Sequence, residues 1–270
     1  MSIIIISRGV HYKGEEVAEK TAQRLGFPCI SHDIVVEASQ KFNVPEAKLK
    51  KAMEKAPGLL ERLGFEKEKH ISYIHSVLLN RLKEDNIIYH GQAGHFFVKD
   101  ISHALAVRIL VDIKDRVNYC MEMEGVSEPK AYEILKKRDE EREKWGQYLY
   151  GLNESDPNLY DVVINIRKLS VDDAAEMICT AIGFQKFKTT PQSQQTMEDL
   201  ALAAEIRAVL MSEKYPMEVK AQNGIVTVKI EASVYQETDL TEKVEKLCKS
   251  VNGVKEIRVE RYSPTIEIVE

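Results

Sequence analysis

Residues 3–26 read IIIISRGVHYKGEEVAEKTAQRLG. Four isoleucines make an apolar run that reads as a strand. Gly9 and Gly14 follow in G-x-x-x-x-G spacing. Val17, Ala18, Thr21, Ala22 and Leu25 then recur at helical intervals until Gly26 and Pro28 stop the helix. Strand, glycine-bracketed loop and helix in this order form the frame of a P-loop, where backbone N–H groups and the positive end of a helix face one phosphate. The consensus continues with a lysine that reaches the terminal phosphates and a Ser or Thr that reaches Mg²⁺. Glu15 and Glu16 stand in those two places. A carboxylate about 4 Å from a phosphate charge costs roughly 4 kcal/mol at an effective dielectric of about 20. Arg8 and Lys13 are the neighbouring cations that offset it. A purely structural use of the glutamates is open as well, because acids in the first turn complement the helix dipole.

Outward from this frame the same alternation continues. Pro28 to Ser31 reads as a short strand, followed by a helix and by a helical stretch from Pro45 to Asp85 broken at Pro57–Gly58 and Gly64. Between residues 69 and 84, Ile71, Ile74, Val77, Leu78, Leu79 and Leu82 share one helix face. NIIYHG at 86–91 and ALAVRILVDI at 104–113 are apolar, β-branched runs, as expected of buried parallel strands. A helix over 114–123 and a charged helix from Ser127 to Gly151 come next, then a strand over 160–166 and a helix capped by Ser170. The first 185 residues therefore predict an α/β domain with a parallel sheet and flanking helices.

Residues 185–197, QKFKTTPQSQQTM, are polar with almost no apolar content, which predicts a linker over 186–196. Beyond it come a helix at 198–214, strands MEVKAQ and IVTVKIE around Asn223–Gly224, a helix at 239–251 and a strand at 254–262. Asn-Gly between alternating strands is a hairpin signal. The expected organisation is a domain over 1–185 and a small αββαβ module of α+β class over 197–270.

Composition bounds the chemistry. The chain has 270 residues, 44% hydrophobic and 30% charged, enough for a full core and two domains. A net charge of −5 argues against general nucleic-acid binding, which needs a basic surface. The longest apolar runs are far too short to cross a bilayer, and no cleavable leader pattern opens the chain, so a cytoplasmic location is expected. Cys29, Cys120, Cys179 and Cys248 stand singly, which fits reduced thiols and no zinc site. His70 and His75 are five apart and do not share a helix face, whereas His90 and His95 follow a strand end where ligands bind in open parallel sheets. Trp145 and Tyr148 read as packing residues, and no G-x-S-x-G elbow suggests a hydrolase.

Three segments, ISRGVHYKGEEVAEKTAQRLGFP, MEMEGVSEPKAYEILKKRDEEREKW and DPNLYDVVINIRKLSVDDAAEMI, together resemble the cytidylate kinase-like proteins over about residues 1–184. The resemblance implies a P-loop kinase fold, ATP and Mg²⁺ as cofactors, and phosphoryl transfer to CMP or a related nucleotide. It assigns Ser7, Arg8, Gly9, Val10, His11, Tyr12, Lys13 and Gly14 to the phosphate loop, and Asp33, Gly91 and Gln92 to the acceptor side. It makes Lys13, Arg138, Asp139 and Arg142 the catalytic set, with the D-x-x-R of the long helix closing over the reaction as a lid. Glu15 replaces a basic residue of the family, and Gln92 stands where Gly-Arg is usual. The tail resembles a BON domain through its element order, its Asn-Gly hairpin and Val251, Gly253 and Val254 before the last strand. That implies a small ligand or a protein partner there, with a homo-oligomer left open. No protein metal site is expected. The altered loop admits an alternative in which catalysis is impaired and the chain is a nucleotide sensor or scaffold signalling through its tail.

Overall fold

The computed structural model describes residues 2–9, 13–54, 65–211, 217–231 and 237–262. Strands β1 (Ile3–Arg8), β2 (Cys29–Ile30), β3 (Ile87–His90), β4 (Ala104–Leu110) and β5 (Val162–Asn165) form one sheet in the order β2-β3-β1-β4-β5. Every neighbouring pair in it is parallel. Successive side chains of a strand point to opposite faces. Ile3 and Ile5 accordingly enter the core beneath α2 (Asp33–Phe42), α3 (Glu46–Glu54) and α4 (Glu66–Leu82), while Ile4 and Ile6 enter a second core beneath α1 (Gly14–Leu25) and α8 (Val171–Ile182). This is why the strand carries four isoleucines without alternation. The chain goes from β1 to β2 on one side and reaches β4 and β5 on the other, so the strand order reverses at β1. A crevice for ligand opens at the carboxyl ends of the strands at such a reversal.

The remaining helices of this layer are α5 (Gly94–Phe97), α6 (Ile113–Glu124) and α7 (Glu128–Tyr150). Gly151, in the left-handed region at φ 65°, ends α7 as its position in the sequence suggests. Ser127 precedes α7 without a side-chain cap bond, whereas Ser170 and Asp173 close a reciprocal capping box at α8. The six apolar residues of α4 are all buried. Pro57, Gly58 and Gly64 lie outside the described residues.

The linker expected over 186–196 is not there. Residues 185–187 form a single 3-10 turn, and α9 (Pro191–Leu210) starts seven residues earlier than the helix expected at 198. Thr190 and Ser193 cap it reciprocally and Pro191 opens its first turn, a start signal hidden inside a polar stretch. Ser193 and Met197 are buried, and α9 packs against α4. Met197, Ala201, Ala204 and Ala208 join the core of the parallel sheet, and Ile206 and Leu210 join the core of the tail. One helix thus belongs to two cores, and its apolar residues lie on two sides.

The tail contains β6 (Met217–Gln222), β7 (Ile225–Glu231), α10 (Glu237–Lys249) and β8 (Glu256–Tyr262). β6 and β7 pair antiparallel around Asn223 and Gly224, both at positive φ as this two-residue turn requires, and β8 pairs parallel to β7.

Candidate active site

The carboxyl ends of β1, β3 and β4 and the helix α7 surround the crevice at the strand reversal. A cleft of about 920 Å³ opens between β1, β3 and α7, lined by Arg8, Gly9 and Lys13 of the loop, Glu15 and Glu16 of α1, Gly91 and Gln92 after β3, and Arg138 and Arg142 of α7. Its size suits a nucleotide. On the other side of α7 lies a smaller pocket of about 430 Å³ that holds Arg108, Arg116, Asp139 and Glu154. Gly9 and Arg142 border both.

The loop is built tightly. Lys13 adopts a left-handed φ of 43° just before α1. A Cβ on Gly14 would lie 2.6 Å from the Arg8 Cβ, so glycine is needed for Arg8 to pass over the start of the helix. The Arg8 guanidinium then reaches Glu15 at 3.6 Å. Burial lowers the Arg8 pKa, and the neighbouring Glu15 opposes that shift. Val10, His11 and Tyr12 lie outside the described residues.

Of the other residues expected at the site, Gly91, Gln92, Arg138 and Arg142 line the cleft. Arg138 pairs with Glu124 of α6 at 3.0 Å. Asp139 points to the smaller pocket, where it holds Arg116 with two bonds of 2.8 and 2.9 Å, and so is not brought together with Arg138. Ser7 is fully buried and donates to Glu154 at 2.9 Å, which places its hydroxyl behind the loop and away from the cleft. Asp33 is exposed at the start of α2 and is not among the cleft-lining residues. His90 is buried beside Arg8, Glu15 and Asp33; burial first, then the Arg8 charge, pushes its pKa down to about 4, so it is neutral at pH 7. No group of three or more His, Cys, Asp or Glu able to hold a metal occurs among the described residues.

Sequence reading missed a buried polar hub behind the loop. Arg108 Nη1 donates to Ser7 at 3.0 Å, to Glu154 at 3.2 Å and to the Tyr160 hydroxyl at 3.1 Å. Tyr160 donates to the Glu154 carbonyl at 2.9 Å, and its oxygen lies 3.3 Å from His95 Nε2. Since the one phenolic proton goes to that carbonyl, the His95 Nε2–H donates to the tyrosine. One signal was available: Arg108 is a charge inside the apolar run ALAVRILV, and such a residue needs a partner.

The cleft also carries unmet donors. Among the described residues, Arg8 Nε, Gln92 Nε2 and Arg142 Nε are buried without a hydrogen-bond partner, and they come from β1, the loop after β3, and α7. Buried donors are seldom left unpaired. The side chains that carry them line the cleft together with Lys13 and Arg138, a set that fits an anionic ligand with several oxygens, such as a polyphosphate. For Mg²⁺, the cleft offers the carboxylates of Glu15, Glu16, Glu19, Glu54 and Glu141, and phosphate oxygens would complete its coordination.

Known proteins agree with this architecture. The chain matches the model of the cytidylate kinase-like family over residues 3–168. It is 27% identical over 100 residues to a cytidylate kinase of Pyrococcus horikoshii, a stretch that covers 37% of this chain and 51% of that protein. A cytidylate kinase of Sulfurisphaera tokodaii is 28% identical over 105 residues, covering 39% and 58%. The chain thus spans between half and three fifths of the length of these curated relatives. An uncharacterized protein from Eubacterium ventriosum superposes with a TM-score of 0.51 at 24% identity, over 67% of this chain and 97% of that one, which supports the fold. With a family match over more than half of its length, on the domain that carries the loop, the cleft and α7, this chain belongs to the cytidylate kinase-like family.

Proposed function

We propose that the cleft transfers the terminal phosphoryl group of ATP to a nucleoside monophosphate, with CMP the first acceptor to test. The observation that carries this reading is the gathering of Arg8, Lys13, Gln92, Arg138 and Arg142 from four separate segments around one nucleotide-sized cleft. In the transfer an acceptor phosphate oxygen bonds to the γ-phosphorus as the bond to the β,γ-bridging oxygen breaks. Negative charge shifts onto that leaving oxygen, so catalysis rests on position and positive charge. Arg8 and Lys13 bind the donor phosphates, Gly91 and Gln92 orient the acceptor, and Arg138 and Arg142 bring charge from α7 over the migrating group. Asp139 steadies α7 through Arg116. Mg²⁺, when bound, neutralises phosphate charge. The tail acts as a BON-like module for a small ligand or a partner protein. The reading implies the cytoplasm, where the nucleotides are.

Arg142→Ala tests the catalytic assignment. Turnover should fall at least about a hundredfold, roughly 3 kcal/mol, because the charge acts mainly on the transition state. Stability should change little, since Glu154 keeps Arg108 and Ser7 as partners. Unchanged turnover in a coupled nucleotide-kinase assay would remove Arg142 from the mechanism.

A second reading, a nucleotide sensor with impaired catalysis, is favoured by Glu15 and Glu16 in the cleft lining. The double change Glu15→Lys with Glu16→Ser supplies the consensus cation and hydroxyl, and it frees Arg8 from its 3.6 Å contact. ATP affinity measured by calorimetry should rise at least about tenfold, or 1.4 kcal/mol. An active parent whose affinity is unaltered by the change would mean that Arg8 and Lys13 already satisfy the phosphates. A parent that binds ATP·Mg²⁺ but leaves CMP unconverted supports the sensor, and a parent that binds neither nucleotide rules out both readings.

A further inference from the structure

Arg108 sits in the middle of β4, its side chain only 16% exposed, so its charge needs a partner inside the fold. Glu154, in the loop after α7 and 7% exposed, provides it. A single oxygen, Glu154 Oε1, accepts from Ser7 at 2.9 Å, Arg108 at 3.2 Å and Arg142 Nη2 at 3.3 Å. The other terminal nitrogen of Arg142 donates to the Arg8 carbonyl at 2.6 Å. With both Nη atoms occupied, the Arg142 guanidinium is fixed in plane and direction against the first residue of the loop.

We infer that Glu154 is a positioning residue, which pins Arg142 of α7 to the start of the phosphate loop through the buried Ser7–Arg108–Glu154 hub. Glu154 is absent from the cleft lining, so it acts on the cleft only through another residue. One carboxylate between two guanidinium groups leaves a net positive charge, and the held arginine directs it toward the cleft without having to be ordered when substrate binds. Arg108 is the counterpart that fixes the carboxylate, and Ser7 joins it to β1. This inference rests on the phosphoryl-transfer reading for its kinetic consequence but not for its geometry.

The test uses the full chain and two independent readouts. In Glu154→Gln, kcat should fall about tenfold while KM for both nucleotides stays within about twofold. The double variant Glu154→Gln with Arg142→Ala should be no slower than Arg142→Ala alone, because a residue that acts through Arg142 has nothing left to position. Glu154→Asp, which keeps the charge, should retain more turnover than the Gln variant. The second readout is modification by phenylglyoxal, an arginine reagent, followed by peptide mass spectrometry. Arg142 should react at least fivefold faster in Glu154→Gln than in the parent, with surface Arg24 unchanged as the internal control. The apolar pair Arg108→Met with Glu154→Leu removes both buried charges together and should show the same rise, which keeps the test available if the Gln variant does not fold. Equal Arg142 reactivity in parent and variants overturns the inference, as do additive kinetic losses in the double variant. A parent with no phosphoryl transfer defeats the proposed function, and the modification rates then decide the positioning role alone.

Discussion

Lowering the pH from 7 to 5 is expected to remove several kcal/mol of folding stability. His75, His90 and His95 each have a pKa pushed from 6.5 to about 4, with burial as the main cause. Nearby arginines add to it: Arg207 for His75, Arg8 for His90, and Arg108 and Arg142 for His95, where Glu154 opposes them. Each histidine is harder to protonate folded than unfolded, so between pH 6.5 and about 4 the unfolded chain binds more protons. The contribution is complete above pH 6.5 and is lost as pH falls toward 4. By pH 5 the loss is on the order of 2 kcal/mol for each histidine. Urea unfolding midpoints across this range measure it. Of the three, His95→Gln should flatten the curve while the amide still meets Tyr160; a midpoint that is level from pH 7 to 5 would show that these rings are not held neutral by the fold.

Trp145→Ala is expected to cost about 3–5 kcal/mol. The indole of α7 is fully buried, and its Nε1–H donates at 2.9 Å to the carbonyl of Ala52 in the last turn of α3, one of the carbonyls a helix end leaves open. The substitution removes a large packed ring and that bond together. Trp145→Phe keeps most of the packing and should cost roughly 1–2 kcal/mol. Because Glu54 at the end of α3 lines the cleft, the Ala variant should also weaken nucleotide binding. Thermal unfolding of the two variants, compared with the parent, separates ring from hydrogen bond. A loss below about 1 kcal/mol for the Ala variant would mean that α3 and α7 are not joined through this residue.

Glu15 and Glu16 show where local sequence signals stop. Their position in the first turn was clear from the spacing of Gly9 and Gly14, but whether they face the cleft depends on where β3 and α7 stand. Both line it, with Arg8 drawn toward Glu15. Lys13, Gly91, Gln92, Arg138 and Arg142, candidates on their sequence pattern, meet in that cleft, whereas Asp139 lines the smaller pocket and Asp33 is exposed and lines neither. Helical spacing places Arg138 and Asp139 about 100° apart around α7, so one residue in sequence separates two pockets.

The order of the main elements, the parallel sheet and the Asn223–Gly224 hairpin are legible in the amino-acid sequence. Apolar periodicity, glycine at positive φ and capping residues act over a few residues, and those signals are present at Ile3 to Ile6, Gly151, Ser170 and Asn223. The start of α9 carried such a signal at Thr190–Pro191, yet polar composition disguised it, and only contact with α4 gives residues 193 and 197 a buried side to occupy. The hub of Ser7, His95, Arg108, Arg142, Glu154 and Tyr160 arises only from tertiary packing. Its members lie up to 153 residues apart, as Ser7 and Tyr160 do. A buried charge states its need for a partner locally, but which carboxylate answers depends on how strands and helices pack, and no short-range pattern in the chain encodes that.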